Sequence, residues 1–279
     1  MNSSSNNIVL GTAQFGLDYG ISNKNGKPSR LIIERILNEA YSQNIQYLDT
    51  ASSYGDAENL IGQFNQGRFE IISKFMPEKD EGLLEEQLHK SLNNLQTNKI
   101  YAYLAHRPTE IIKNPKIWEN LIKFKKKGLV DKIGVSFDNH EEYTQISNLK
   151  IQLDIAQMPF NYFDNRFEQA ALNLKSSGCE IHSRSTYLQG LFFIKSNKLS
   201  PFFSSVKHIL KELQLNYGDE LKLVLLKYVL NLPYVDKVVL GVENDKQLRE
   251  NLKKSHFNLD EKLTVEIEKK IIQPSKWKI

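Results

Sequence analysis

Four residues able to take part in proton transfer stand at the ends of short apolar runs or soon after one. Asp49, Lys74 and His106 each end such a run, and Tyr54 follows the first run in a loop of small residues. If the runs are parallel neighbouring strands, their carboxyl ends lie on one rim and the four side chains converge there. A lysine cation beside a phenol favours the phenolate, so we expect Lys74, paired with Asp49, to lower the pKa of Tyr54. His106 could hydrogen-bond a substrate oxygen or share the proton with Tyr54, and the set suits delivery of a proton to a carbonyl.

Each of these residues taken alone has an ordinary structural explanation. A lone aspartate at a strand end often caps a helix, and a tyrosine in a rim loop is usually a packed surface aromatic. A lysine at a strand end is usually solvated, and a histidine before Arg107-Pro108 could belong to a turn. The order and phase of the four together favour the catalytic interpretation.

The segments that must position these residues alternate between short apolar runs and longer amphipathic ones. The candidate strands are Ile8–Leu10, Ile45–Asp49, Phe69–Lys74, Ile100–His106, Lys132–Ser136, Ile155–Met158, Glu180–Ser183 and Lys237–Leu240. The candidate helices are Ser29–Ser42, Asp56–Asn65, Gly82–Leu95, Pro115–Lys127, His140–Ser147, Arg166–Ser177, Asp219–Asn231 and Asp245–Lys253. Right-handed crossovers make such strands parallel, so the pattern predicts an α/β fold, an eight-stranded (β/α)₈ TIM barrel.

The pattern shows no linker or shift in composition, so we expect residues 1–279 to form a single barrel domain. Gly16–Pro28 and Lys195–Ser205 interrupt the alternation and are interpreted as rim loops. Asp260–Ile272 is interpreted as an extra amphipathic C-terminal helix.

Composition excludes several functional classes. The chain has 279 residues, 40% hydrophobic and 25% charged, which is ordinary for a soluble globular protein. The net charge is only +4, and the lysine run 123–127 is interpreted as a solvated helix end, so we expect no nucleic-acid partner. Cys179 is the single cysteine, which excludes an intrachain disulfide and suggests a reducing, cytoplasmic location. We also expect no membrane association, because no apolar stretch is long enough to span a bilayer.

The sequence also lacks the motifs of other cofactor sites. It has no Gly-x-Gly-x-x-Gly and no Walker P-loop, which disfavours a Rossmann domain and an ATPase. Its six histidines are dispersed and the single cysteine forms no cluster with them, so no metal site is expected.

On the four proton-transfer residues the chain resembles the aldo-keto reductases, and specifically a bacterial branch of predicted oxidoreductases. The resemblance covers nearly the whole chain, through the segments 10–16, 49–55, 132–136, 156–161, 188–191 and 241–251. It implies that Asp49, Tyr54, Lys74 and His106 form a catalytic tetrad. It also implies an NAD(P)H-dependent oxidoreductase that reduces a small-molecule aldehyde or ketone, with Tyr54 as the proton donor. Residues 188–191 resemble a branch often met among bacterial surface-sugar genes, which suggests a sugar-derived substrate.

The resemblance further implies a cofactor, NADP(H) or NAD(H), bound in extended form across the rim. The cofactor-binding positions it indicates are Gly11, Thr12, Ser136, Gln157, Arg184, Ser185, Leu188, Gly190, Gly241, Glu243, Gln247, Glu250 and Asn251. Of these, Ser136 and Gln157 match positions that hold the carboxamide. Ser185, Leu188 and Gly190 match the pyrophosphate loop, and Gly241, Gln247, Glu250 and Asn251 match the adenosine end.

Three residues depart from the family pattern. Phe137 stands where the family usually has asparagine, and Arg184 where a tyrosine usually stacks on the nicotinamide. Glu243 falls near the position that usually helps hold the 2′-phosphate, which a carboxylate would repel. The hypothesis that follows is acceptance of NADH as well as, or better than, NADPH. Alternatively, Glu243 is a solvent-exposed acid at a helix start.

The departures keep a second functional class open, a nicotinamide-nucleotide-binding regulatory or sensor barrel with little turnover. An intact tetrad favours the enzyme over the sensor. The sequence determines neither the substrate nor the oligomeric state.

Overall fold

Eight parallel strands close into a barrel in the computed structural model, which describes residues 5–76, 81–259 and 266–277. Each strand pairs with its neighbour in sequence, and the last pairs with the first. The strands are β1 (Ile8–Gly11), β2 (Tyr47–Asp49), β3 (Glu70–Phe75), β4 (Ile100–Ala105), β5 (Val130–Ser136), β6 (Ile155–Pro159), β7 (Glu180–Arg184) and β8 (Lys237–Gly241). This confirms the predicted (β/α)₈ barrel, and every predicted strand overlaps an observed one.

Helices follow the strands and cover the outside of the barrel. They are α1 (Ala13–Gly16), α2 (Arg30–Ser42), α3 (Ala57–Asn65), α4 (Glu81–Leu95), α5 (Thr109–Lys113), α6 (Lys116–Lys126), α7 (His140–Asn148), α8 (Glu168–Ser176), α9 (Lys207–Tyr217), α10 (Leu221–Leu230) and α11 (Asp245–Asn251). Short 3₁₀ helices lie at Ser5–Asn7, Leu188–Phe193, Pro201–Val206, Gly218–Glu220 and Pro274–Lys276. All eight predicted helices are present within a few residues of their expected ends.

The core has two parts because each strand is buried on both faces. Inside the barrel, Val9, Ile72, Leu104 and Ile155 form a small apolar cluster. Outside it, the helices pack their apolar faces on the strands; Ile33 and Ile36 of α2 are fully buried in this layer. These two layers hold the strand ends, and therefore the rim, in fixed positions.

The segment after β7 is more ordered than the sequence predicted. Lys195–Ser205 is predicted as a long rim loop, but residues 201–205 belong to the 3₁₀ helix Pro201–Val206, and α9, which the sequence analysis did not predict, follows it. Ile209, Leu210 and Leu213 of α9 are buried under this segment in an apolar cluster that is separate from the two layers of the barrel. We call it the second apolar cluster.

The prediction of an extra C-terminal helix is wrong over residues 266–272, the part of it that the structure describes. Residues 260–265 of the predicted Asp260–Ile272 helix lie outside the described residues. Residues 266–272 are irregular with a turn at 269–271, and Ile271 and Ile272 are buried in the second cluster. Packing of these two residues, rather than helix formation, accounts for the apolar spacing there. Over the described ranges, no helix is both long and apolar enough to span a membrane.

Candidate active site

A buried ion pair lies at the carboxyl end of the barrel. The Lys74 ammonium on β3 donates to Asp49 Oδ1 at 2.6 Å and to the Thr50 carbonyl at 2.8 Å. The Gln157 amide on β6 donates to the second Asp49 oxygen at 2.8 Å. Thr12, directly after β1, fastens the same strand end through its hydroxyl, which donates to the Asp49 carbonyl at 2.8 Å. Asp49 therefore cross-links four strands around the rim, and it compensates the charge of Lys74.

Tyr54 and His106 lie beside this pair. The Lys74 nitrogen is 5.2 Å from the centre of the Tyr54 ring. The Tyr54 and His106 rings meet edge to face with their centres 5.7 Å apart. Gly16 of α1 packs so closely on this loop that a Cβ there would lie 1.7 Å from the Tyr54 carbonyl oxygen. The structure thus brings together the four residues that the sequence placed on one rim.

The expected depression of the Tyr54 pKa is wrong for this state of the protein. Burial and the nearby Asp49 carboxylate raise the pKa of Tyr54 above its ordinary value, against the opposing charge of Arg184. The expectation is wrong because the Lys74 ammonium lies 2.6 Å from the Asp49 carboxylate, which compensates most of its charge. Little of that charge is left to stabilise the phenolate form of Tyr54. Tyr54 is consequently a protonated phenol at neutral pH, which suits an acid rather than a base.

His106 is neutral at ordinary pH. Burial, followed by the cationic Lys74, Arg184 and Arg107, lowers the pKa of His106 to about 3. Its Nδ1 lies 3.1 Å from the Ser53 hydroxyl, which fixes the ring plane. A neutral imidazole can donate or accept a hydrogen bond at a ligand oxygen without adding charge to the site.

One cavity is lined by Asp49 and Tyr54, at and after the end of β2, and by Glu243 and Gln247, which follow β8. Most predicted cofactor positions line it, namely Gly11, Thr12, Gln157, Arg184, Ser185, Gly190, Gly241, Glu243 and Gln247. Thr186 also lines it, and the buried Thr186 hydroxyl makes no hydrogen bond within the described residues. A cavity with an unpartnered polar group in its lining is typical of a ligand-binding site.

Comparison with known proteins identifies the fold and the family. The model of the aldo/keto reductase family matches residues 7–272. The chain belongs to the aldo/keto reductase family. It is therefore an oxidoreductase, as its barrel and rim suggested.

One curated relative and two solved structures are similar to this chain. The "uncharacterized oxidoreductase YqkF" of Bacillus subtilis (strain 168) is 27% identical over 249 residues, which cover 78% of this chain and 80% of that protein. The aldo-keto reductase AKR11C1 from Bacillus halodurans, in its holo form, superposes with a TM-score of 0.72 at 21% identity, covering 88% of this chain and 85% of its own. The glycerol dehydrogenase AKR11B4 from Gluconobacter oxydans gives a TM-score of 0.71 at 17% identity, with 91% and 87% coverage.

Four of the positions indicated by the family resemblance do not line the cavity in this aldo/keto reductase. Ser136 is buried at the end of β5, in register with Gln157, and Leu188 is buried in the second apolar cluster. Glu250 pairs with Lys222 of α10 at 2.6 Å, and Asn251 borders a separate cavity between α10 and α11. The last two lie about one helical turn, ~5.4 Å, beyond Gln247, so they are set back from the rim.

The first rim loop contributes residues to the cavity that the sequence analysis did not predict. Tyr19, Gly20 and Ser22 line the cavity, and the Ile21 amide donates to the Gln189 carbonyl at 2.9 Å. Gly190, with φ +89°, abuts Ser22 so closely that a Cβ would lie 1.9 Å from its hydroxyl oxygen. Gly16–Pro28 was recognised as a rim loop, but nothing local in the sequence shows that it meets the segment after β7.

Arg184, one of the departures from the family pattern, is held by hydrogen bonds to residues that do not line the cavity. Its Nη2 donates to the Phe137 carbonyl at 2.9 Å and to Asp138 Oδ1 at 3.1 Å. Arg107 binds the other Asp138 oxygen at 2.9 Å. Burial opposes ionisation of Asp138, but the two guanidinium groups outweigh it and lower the pKa of Asp138. Arg184 is thereby fixed as a cation on the cavity wall.

Proposed function

We propose that this aldo/keto reductase reduces an aldehyde or ketone to the alcohol with NADPH or NADH, and that Tyr54 donates the proton. The observation that carries the proposal is the position of a protonated Tyr54 beside a neutral His106 and the Lys74–Asp49 pair. Asp49 and Tyr54 line the same cavity as Glu243, and Lys74 and His106 lie beside Tyr54.

The residues present fit a nicotinamide cofactor. Gly11 and Gly241 are in register on neighbouring strands and leave the cavity floor without side chains. A Cβ on Gly241 would lie 2.7 Å from the Gln14 amide, so a larger residue there would displace the Gln14 side chain, which also lines the cavity. The unpartnered hydroxyl of Thr186 supports a ligand at this wall of the cavity within the described structure.

We assign the parts of the cofactor to successive groups of residues along the cavity. Gln157 would hold the carboxamide. Ser185, Thr186 and Gly190 would hold the pyrophosphate, and Gly241, Glu243 and Gln247 the adenosine end. When bound, the cofactor supplies a hydride to the carbonyl carbon.

The protein residues would handle the proton. Tyr54 gives its hydroxyl proton to the carbonyl oxygen as negative charge develops there. The phenolate left on Tyr54 is stabilised by the nearby Lys74 cation, whose position is fixed by Asp49. Neutral His106 orients the carbonyl oxygen by hydrogen bonding, without competing for the proton.

A single substitution tests the role of Tyr54. Tyr54→Phe should lower turnover about 10²- to 10⁴-fold, because it removes the proton donor and leaves the cofactor site intact. Turnover is measured as cofactor oxidation with a panel of aldehydes and ketones, and cofactor binding by fluorescence titration. Tyr41→Phe, on the exposed face of α2, is the matched control and should behave as the wild type. Turnover in Tyr54→Phe within three-fold of the wild type contradicts the proposal.

The same panel separates the enzyme from the sensor barrel. Sugar-derived carbonyl compounds belong in it, because residues 188–191 resemble a branch associated with surface sugars. Wild-type protein that binds cofactor but oxidises it with no compound of the panel would favour the sensor. We also infer that residues 1–279 form one domain, since a single closed barrel accounts for all eight strands of the described ranges.

A further inference from the structure

The wall of the cavity next to Tyr54 carries a fixed cation. Arg184 lines the cavity together with Asp49, Tyr54 and Gln157, and about a quarter of its side chain is exposed. Its hydrogen bonds to the Phe137 carbonyl and to Asp138 hold the guanidinium in place. An arginine fixed in this way presents a planar cationic face to whatever occupies the cavity.

The anions that accompany Arg184 stand behind it. Asp138 is shared with Arg107, and Glu142 lies 3.9 Å from Arg107. Within the described residues, Arg184 is the one member of this network that lines the cavity. Because Coulomb interactions weaken with distance, a ligand in the cavity meets the guanidinium more strongly than the carboxylates behind it.

The charge of Arg184 acts on the neighbouring titratable groups. Arg184 lowers the pKa of Tyr54, against the larger effects of burial and Asp49. At His106, burial comes first, and the lowering of the pKa by Arg184 exceeds the raising by Asp138. The positive charge of Arg184 therefore acts at the position where the reacting carbonyl would lie.

We propose that Arg184 makes this site bind the reduced nicotinamide ring more tightly than the oxidised ring. The inference rests on the proposed function, which places the ring against a carbonyl group at Tyr54. Loss of a hydride, two electrons with one proton, changes the ring from neutral to a formal charge of +1. A neutral ring packs favourably on a guanidinium plane, whereas a cationic ring is repelled by it.

This preference has a functional consequence. The oxidised cofactor left after each reduction would be destabilised in the site and released, and the reverse oxidation of an alcohol would be disfavoured. Arg184 would thus set the direction in which the enzyme works best.

The test is the ratio of the dissociation constants of the oxidised and reduced forms, measured at equilibrium. Wild type and variants are titrated with NADH and NAD⁺, and in parallel with NADPH and NADP⁺, by fluorescence or calorimetry. Each pair differs only at the ring, so contributions of the phosphates and adenosine cancel. Arg184→Gln should lower the oxidised-to-reduced ratio at least ten-fold, equivalent to about 1.4 kcal/mol.

Three further variants make the test specific. Arg184→Lys keeps the charge and should keep the ratio within about three-fold, a margin of ~0.7 kcal/mol. Asp138→Asn removes compensating negative charge and should raise the ratio. Lys125→Gln removes a cation that is paired with Asp154, just before β6 at the opposite end of the barrel, and should leave the ratio unchanged. Thermal unfolding verifies that each variant is folded.

The outcomes separate this inference from the proposed function. A ratio in Arg184→Gln within two-fold of the wild type, with both forms still bound, overturns the inference alone. If Arg184→Gln does not fold, an unchanged or lowered ratio in Asp138→Asn overturns it instead. If the wild type binds neither form of either cofactor, the proposed function fails and the inference fails with it.

Discussion

Replacing Lys74 by methionine should destabilise the protein strongly, and the cost should come from Asp49. The two side chains are only 1% and 4% exposed, and their charged atoms are 2.6 Å apart. Methionine fills a similar volume but leaves a buried carboxylate whose remaining side-chain donor is the Gln157 amide. Removal of one partner from a buried ion pair typically costs about 3–5 kcal/mol. We therefore expect Lys74→Met to lose about that much unfolding free energy at pH 8.

A second substitution separates the loss of charge compensation from the loss of packing. In the Asp49→Asn/Lys74→Met double variant neither member of this pair carries a charge, so at least half of the lost stability should return. The single variant should also lose less stability as the pH falls toward 5. A carboxylate buried without a cation takes up a proton in the folded state before it does so in the unfolded chain, so acid relieves the penalty. Both variants should lack turnover.

Urea unfolding, followed by circular dichroism at pH 5 and pH 8, measures these free energies. A loss below about 1 kcal/mol in Lys74→Met at pH 8 would show that the pair is not the buried, dry contact described above. A double variant no more stable than the single one would place the cost in packing rather than in charge. Either result would refute the reasoning.

Three other predictions follow from the same site. The pKa of His106 is about 3 in the folded protein, well below its ordinary value, so the unfolded chain binds a proton first as the pH falls and stability should decrease from pH 7 to pH 4. His106→Asn should flatten this decrease in urea unfolding, and an unchanged pH profile would contradict the assignment. Glu243→Gln removes a carboxylate from the cavity lining, so binding of NADPH relative to NADH should improve roughly five-fold, or ~1 kcal/mol. Titration with both cofactors measures this preference. An unaltered preference would place Glu243 away from the 2′-phosphate. Gly190→Ala combines a positive φ with a clash on Ser22 and should destabilise the protein by about 1–3 kcal/mol more than Gly178→Ala, which has a similar φ and no heavy atom within 4 Å of the added Cβ. Equal unfolding free energies for the two alanine variants would argue against the close contact between the two loops.

The barrel and the convergence of Asp49, Tyr54, Lys74 and His106 could be predicted from local patterns. Apolar runs alternating with amphipathic segments determine parallel strands, and all carboxyl ends of such strands lie on one rim. A residue type at a strand end therefore has a predictable location before any distance is known. The helix α9 has a helical apolar spacing of its own in Ile209, Leu210 and Leu213, but the irregular segment before it interrupts the alternation of strands and helices.

Other features of the site depend on distances between segments far apart in sequence. Burial and the nearby Asp49 carboxylate raise the pKa of Tyr54, and neither is encoded by spacing along the chain. Glu250 is directed to Lys222 because α11 has receded from the rim by one turn at that point.

Strand and helix periods are local properties of the chain, so the amino-acid order alone indicates which chemical groups reach the rim. Their charge states and their partners depend on the folded barrel. Arg184 faces the cavity with Asp138 behind it, and Tyr19 enters the site on a loop fastened to Gln189. Burial and Coulomb interactions depend on three-dimensional separation, so the same residues acquire their protonation states only once the barrel has closed.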